Sequence, residues 1–190
     1  SDQIEQFTAI KEAVCAALAY TPMLHLLNTS GVVNYPQAQF DMVRIGIGLY
    51  GFGNDKKETA QLKNTHNLKS IISQIHPIAP GETVGYNRAF AAKAATKTAT
   101  IPIGHADGLS RRLGNTKGFV RIQNQDAPII GNVCMDMIMV DVTHIDCNEG
   151  DAVIVFNTQE MIQHIADISE TIVYETLTAI SPRVHKTLKT

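Results

Sequence analysis

Apolar positions follow two different periods along this chain. Ile4, Phe7, Ile10, Val14, Ala17 and Leu18 recur every three or four residues, which predicts an amphipathic helix over residues 2–20. Asp2 and Glu5 near its start complement the helix dipole. Met23 to Leu27 is a short apolar run, read as a buried strand, and it ends in the polar turn Asn28-Thr29-Ser30-Gly31. A second strand-like unit, Phe40 to Gly51, follows a short connector. Helix, strand, polar turn and strand is the rhythm of β/α repeats. Residues 54–65 are polar and lack an apolar period, so they predict a solvated linker and a domain boundary.

Past residue 65 the period becomes that of strands. The runs 68–77, 84–86, 96–103, 119–122, 128–133, 138–142 and 152–156 are separated by turn clusters such as Ala79-Pro80-Gly81-Glu82 and Asn148-Glu149-Gly150-Asp151. Short strands at that spacing predict a mostly antiparallel barrel or sandwich. Thr158 caps a short helix with Met161, Ile162, Ile165 and Ile168 on one face, and Thr171 to Leu177 reads as a last strand. The expected fold class is mainly β. A β-barrel or sandwich-like domain over 54–190 follows β/α units in 1–53.

Composition narrows the function classes. The 190 residues suffice for a sizeable core, and 44% hydrophobic with 18% charged residues is ordinary for a globular protein. A formal net charge of −2 gives no basic field for nucleic acid or for an anionic membrane. No apolar run approaches the roughly 20 residues that span a bilayer. Cys15, Cys134 and Cys147 are odd in number and unpaired in spacing, which fits reduced thiols and a cytoplasmic setting. His144, Asp146 and Cys147 lie close together but match no zinc spacing, so no metal is expected.

Two stretches carry candidate chemistry. Asn28-Thr29-Ser30-Gly31, with Arg44 between apolar and glycine positions, suits a phosphate held by backbone N–H groups and a hydroxyl. In Thr100 to Arg112 a β-branched run stops at Gly104, and then come His105, an Asp107-Gly108 turn and two arginines. A strand that ends in a tight polar turn delivers a side chain to a fixed point.

Four blocks in order resemble the alanine racemase family. They are His25-x-x-Asn28-Thr29-Ser30 with Phe40-Asp41-Met42-Val43-Arg44-x-Gly46-Ile47-x-Leu49-Tyr50-Gly51; Ile103-Gly104-x-Ala106-Asp107-Gly108; Gly131-x-Val133-Cys134-Met135-Asp136; and Tyr174-Glu175 with Ser181-x-Arg183-Val184. The resemblance implies the last units of a β/α barrel that binds pyridoxal 5′-phosphate (PLP), then a β-rich domain, in a homodimer whose active sites combine both chains. It implies interconversion of L- and D-alanine for peptidoglycan synthesis. A related PLP enzyme acting on another amino acid, as racemase or decarboxylase, and a non-catalytic binding or assembly domain are the alternatives.

Carried over residue by residue, Thr29, Gly46, Ile47 and Tyr174 resemble the phosphate-binding set, and Arg44 the arginine facing the pyridine nitrogen. Met135 and Asp136 resemble residues lining the substrate carboxylate pocket. The resemblance puts a catalytic tyrosine at the position of His105, so His105 is expected to be a substituted base. Histidine, with an unperturbed pKa of about 6.5 against about 10 for tyrosine, can fill that role. Val84-Gly85-Tyr86-Asn87-Arg88 also matches a family pattern and is read as structural. No lysine here resembles the one that holds the cofactor covalently. The chain is therefore expected to be the C-terminal half of a racemase and inactive alone.

Overall fold

The structure, a computed structural model, describes residues 1–188. It divides into two compact units, Ser1–Thr65 and one beginning at His66.

In the first unit the predicted helix forms as α1, Asp2–Ala17. None of its residues is buried, and Ile10 and Val14 on its apolar stripe stay exposed. The two expected strands are not regular strands. Their segments run side by side in the parallel sense with a single bridge between His25 and Met42. Leu24 O accepts the Asp41 and Met42 amides, and Leu27 O the Arg44 amide. The parallel pairing of a β/α repeat is present, but these contacts are too few for a continuous ladder. The polar turn becomes helix α2, Thr29–Asn34, capped by Asn28, whose side chain accepts the Gly31 amide at 3.0 Å. The second unit of the repeat ends in a 3₁₀ helix, Ile47–Tyr50, closed by left-handed Gly51.

Residues 54–65 are not a bare solvated linker. Asp55 caps a short helix α3, Lys56–Thr59, by accepting the Glu58 amide at 2.8 Å, and the Glu58 side chain is buried. Charge-rich composition masks this, because a lone buried carboxylate leaves no period.

Among the described residues the second unit holds nine strands: β1 Leu68–Ile71, β2 Gln74–Ile78, β3 Thr83–Val84, β4 Phe90–Ala91, β5 Thr96–Ile101, β6 Phe119–Ile122, β7 Gln125–Ile130, β8 Ile138–Asp141 and β9 Ala152–Phe156. Seven form one antiparallel sheet in the order β1-β9-β6-β7-β8-β5-β2, and β3 pairs with β4. The two edge strands, β1 and β2, are joined by only residues 72 and 73. Ile72 N donates to Asp151 O beside β9, while Ser73 N donates to Thr100 O on β5. One bent segment thus belongs to both edges, which requires the sheet to curl round on itself into a barrel. Alternation fills the inside. Ala99 faces Val140, which faces Ile129, and Ile101 faces Ile138; all five are buried. Pro77 sits on edge strand β2, where a missing N–H is tolerated.

Helix α4, Gln159–Ser169, is capped by Thr158 and buries Met161, Ile162 and Ile165; Ile168 is half-buried. The expected last strand is instead helix α5, Val173–Thr178. Its β-branched residues favour strand locally, but Val173, Thr176 and Leu177 are buried at helical spacing, and packing overrides propensity. Among the described residues no helix is long and apolar enough to cross a membrane.

Candidate active site

The sequence-predicted residues fall into two groups. In the first unit, Thr29 opens α2 and is buried, and its Oγ1 accepts the amides of Gly46 at 3.0 Å and Gly48 at 3.3 Å. With both lone pairs engaged, the hydroxyl proton is the part left to donate, which suits an anionic oxygen. Neighbouring side chains crowd these glycines. A Cβ on Gly48 would lie 2.7 Å from Thr29 Cγ2, and one on Gly46 would lie 2.9 Å from Arg44 Nη1. Thr29, Arg44, Gly46 and the start of the Ile47 helix therefore converge on one cradle. Its donors, the Thr29 hydroxyl, the Ile47 amide and the Arg44 guanidinium, suit an anionic group such as a phosphate. Tyr174 stands on α5 of the other unit and is 42% exposed.

In the second unit the turn after β5 is a 3₁₀ helix, His105–Asp107. Asp107 Oδ2 accepts the Gly104 amide at 2.7 Å and closes the turn, as its position predicts. His105 N donates to Cys134 O at 2.9 Å and Ala106 N to Met135 O at 2.8 Å, so the Cys-Met-Asp block is stitched to this turn. His105 is exposed at the ring, and its Nδ1 lies 3.0 Å from Leu109 O. A carbonyl only accepts, so Nδ1 carries a hydrogen and the neutral ring leaves Nε2 as the acceptor.

Arg183 clamps the site. Its Nε meets Asp107 Oδ1 at 2.7 Å and its Nη2 meets Asp136 Oδ1 at 2.6 Å. Burial alone would raise the Asp107 carboxyl, but Arg183 and the Gly104 amide outweigh it and hold the group below the usual carboxylate range. The same guanidinium pairs with Asp136 and offsets its charge. Burial pushes the Cys134 thiol up, so it is not an activated nucleophile.

This clamp predicts a pH signature. Asp107→Asn is expected to cost about 1.5 kcal/mol near neutrality, the low end for hydrogen bonds to charged groups, because Arg183 is half in solvent. A carboxyl lowered by folding stabilises above its unfolded pKa of about 3.9, and the gain is lost as pH falls through the lower native value. Urea denaturation should therefore show the two proteins separated at pH 7 and converging below about pH 4. A gap that persists at lower pH would exclude the charge as its source.

The residue that sequence reasoning passed over is Tyr86. It follows Gly85 (φ +76°) and precedes Asn87 and Arg88, both left-handed at φ +59° and +50°. Successive left-handed non-glycine residues also occur at Asn115-Thr116 and Gln123-Asn124, so the backbone alone does not single this turn out. The Tyr86 ring is 69% exposed, while its backbone carbonyl accepts the Asn132 side-chain amide at 3.1 Å. The segment 132–135 is thus tied to both turns, at Tyr86 and at His105. The available signal was the resemblance itself, which calls for a tyrosine.

Among the described residues no lysine is buried; Lys189 lies outside them. Lys97 reaches Cys147 O at 3.2 Å, a structural contact.

Comparison with known proteins covers both units. A family profile described as alanine racemase, N-terminal domain, matches residues 1–53, and one described as alanine racemase, C-terminal domain, matches residues 65–188. Alanine racemase 1 of Oceanobacillus iheyensis is 34% identical over 190 residues, covering 96% of this chain and 50% of its own length. The alanine racemase of Clostridium difficile 630 in complex with cycloserine superposes with a TM-score of 0.86 at 32% identity, over 96% of this chain and 50% of that one. That of Bartonella henselae with covalently bound pyridoxal phosphate gives 0.75 at 32% identity, over 96% and 51%. The chain spans about half the length of the curated relatives it matches. With its cradle, its clamped turn and both family segments in order, the chain belongs to the alanine racemase family.

Proposed function

We propose that the complete protein carrying this chain interconverts L- and D-alanine with pyridoxal 5′-phosphate, supplying D-alanine for peptidoglycan. The observation that supports this most is the pair of family segments in order, with the glycine-lined Thr29 cradle in the first. When bound, the cofactor ring delocalises the electron pair left at Cα after its proton is removed. Thr29 would donate its hydroxyl proton to the phosphate beside the Ile47 amide, the Gly46 amide being held by Thr29 Oγ1; the resemblance also names Tyr174. Arg44 would face the pyridine nitrogen, and because a guanidinium does not give up its proton it would leave that nitrogen unprotonated and the ring a restrained electron sink. Met135 and Asp136 line the place of the substrate carboxylate, with Asp136 neutralised by Arg183.

Inverting Cα takes one proton carrier on each face. The β-rich domain of one protomer supplies the second carrier to its partner's cofactor in a homodimer, and the assembly works in the cytoplasm. Two groups here qualify, His105 through Nε2 and Tyr86 through its phenol. The 69% exposed ring and the tyrosine that the resemblance calls for favour Tyr86. Histidine would then stand next to the base rather than in place of it.

Chiral chromatography of products formed from single L-amino acids by the complete enzyme with PLP tests the reaction. D-alanine should form from L-alanine. An amine product would point to a decarboxylase, and absence of turnover on every amino acid would contradict the proposal.

A further inference from the structure

Glu58 lies between the two matched family segments, in a stretch whose composition predicts solvent. It is instead 6% exposed. Its Oε1 accepts the Ser30 hydroxyl at 2.6 Å and the Asn34 side-chain amide at 2.5 Å, and its Oε2 accepts the Asn54 amide at 2.8 Å. The chain closes tightly over it: a Cβ on Gly53 would lie 2.2 Å from Glu58 Cβ. Ser30 and Asn34 are the second and last residues of α2, and Thr29 is its first. One carboxylate therefore ties both turns of this short helix to the segment that follows Gly51.

We propose that Glu58 is a positioning residue for the phosphate cradle, holding α2 so that Thr29 stays against the Gly46 and Gly48 amides. This rests on the reading of Thr29, Gly46 and Ile47 as the cofactor phosphate site. A six-residue helix cannot hold itself in water, since nucleation costs more than so few bonds return, so its placement comes from tertiary ties. Three donors on one carboxylate keep that group ionised, and the Ser30 hydroxyl is the largest of them in holding it below the usual range.

Charge and position predict opposite outcomes. A carboxylate one residue from an anion site repels the anion, so by charge alone Glu58→Gln would tighten phosphate binding. As a tie, glutamine fails, because its NH2 meets a donor where an acceptor is needed. The test titrates the complete enzyme with PLP and, separately, with pyridoxal, which lacks the phosphate, following ring absorbance. Glu58→Gln should weaken PLP on the order of 10-fold, the usual scale for lost outer-sphere support, and leave pyridoxal unchanged. Ser30→Ala should show the same selective loss and decides the matter if Glu58→Gln does not fold. Unchanged or tighter PLP binding, or equal losses for PLP and pyridoxal, would overturn the proposal. A wild-type enzyme that binds PLP no better than pyridoxal would instead overturn the phosphate-site reading beneath it.

Discussion

Racemisation by the complete enzyme is expected to slow by about 10²–10⁴-fold when Tyr86 becomes phenylalanine, the usual scale for a general acid–base group. Phenylalanine keeps the ring and the turn and removes only the hydroxyl. The Tyr86 backbone carbonyl still accepts from Asn132, and the left-handed Asn87 and Arg88 are untouched. PLP affinity and thermal stability should therefore stay near wild type. His105→Phe should cost less than about 10-fold, because that side chain is held by Leu109 O and the proposed function places it beside the base. If the two results exchange places, the base is His105.

Gly104→Ala should carry the largest stability cost. The conformation suits any residue, with φ at −148°. The difficulty is space. A Cβ there would lie 2.6 Å from Cys134 O, from Met135 O and from Met137 N, all backbone atoms that cannot swing aside. Relief requires parting the turn from the Cys-Met-Asp block, breaking the His105 and Ala106 amide bonds that join them. We expect a loss of about 3 kcal/mol, at the upper end for overpacking. Gly150→Ala makes a control, since its φ is +90° but nothing lies within 4 Å, so only backbone strain of about 1 kcal/mol applies. Denaturation midpoints of the two variants should differ clearly, and equal losses would show that the turn yields without cost.

What could be read in the chain depended on whether a signal was periodic. β9 lies at Ala152–Phe156 and β6 at Phe119–Ile122, where alternation placed them, because each strand has one face in the barrel and the pattern records it. α5 was hidden because its β-branched residues speak locally for strand, and only contacts far away in sequence settle the matter. Glu58 was hidden for another reason. Its burial depends on three donors scattered over residues 30 to 54, and composition sees only a charge. At the site, Thr29, Gly46 and Arg44 were visible as glycine and hydroxyl punctuation, and the structure brings them together. Tyr86 had no periodicity to mark it. Its distinction is an exposed ring on a turn anchored by Asn132, which exists only once the chain has folded.

Hydrogen exchange at Cα in deuterated water, followed by NMR separately for L- and D-alanine, addresses the two-carrier arrangement most directly. Wild-type enzyme with PLP should exchange both enantiomers. In Tyr86→Phe one face of the substrate loses its carrier, so exchange should persist with one enantiomer and collapse with the other. Exchange of both at wild-type rates in that variant would contradict the assignment of the second carrier to this domain's Tyr86.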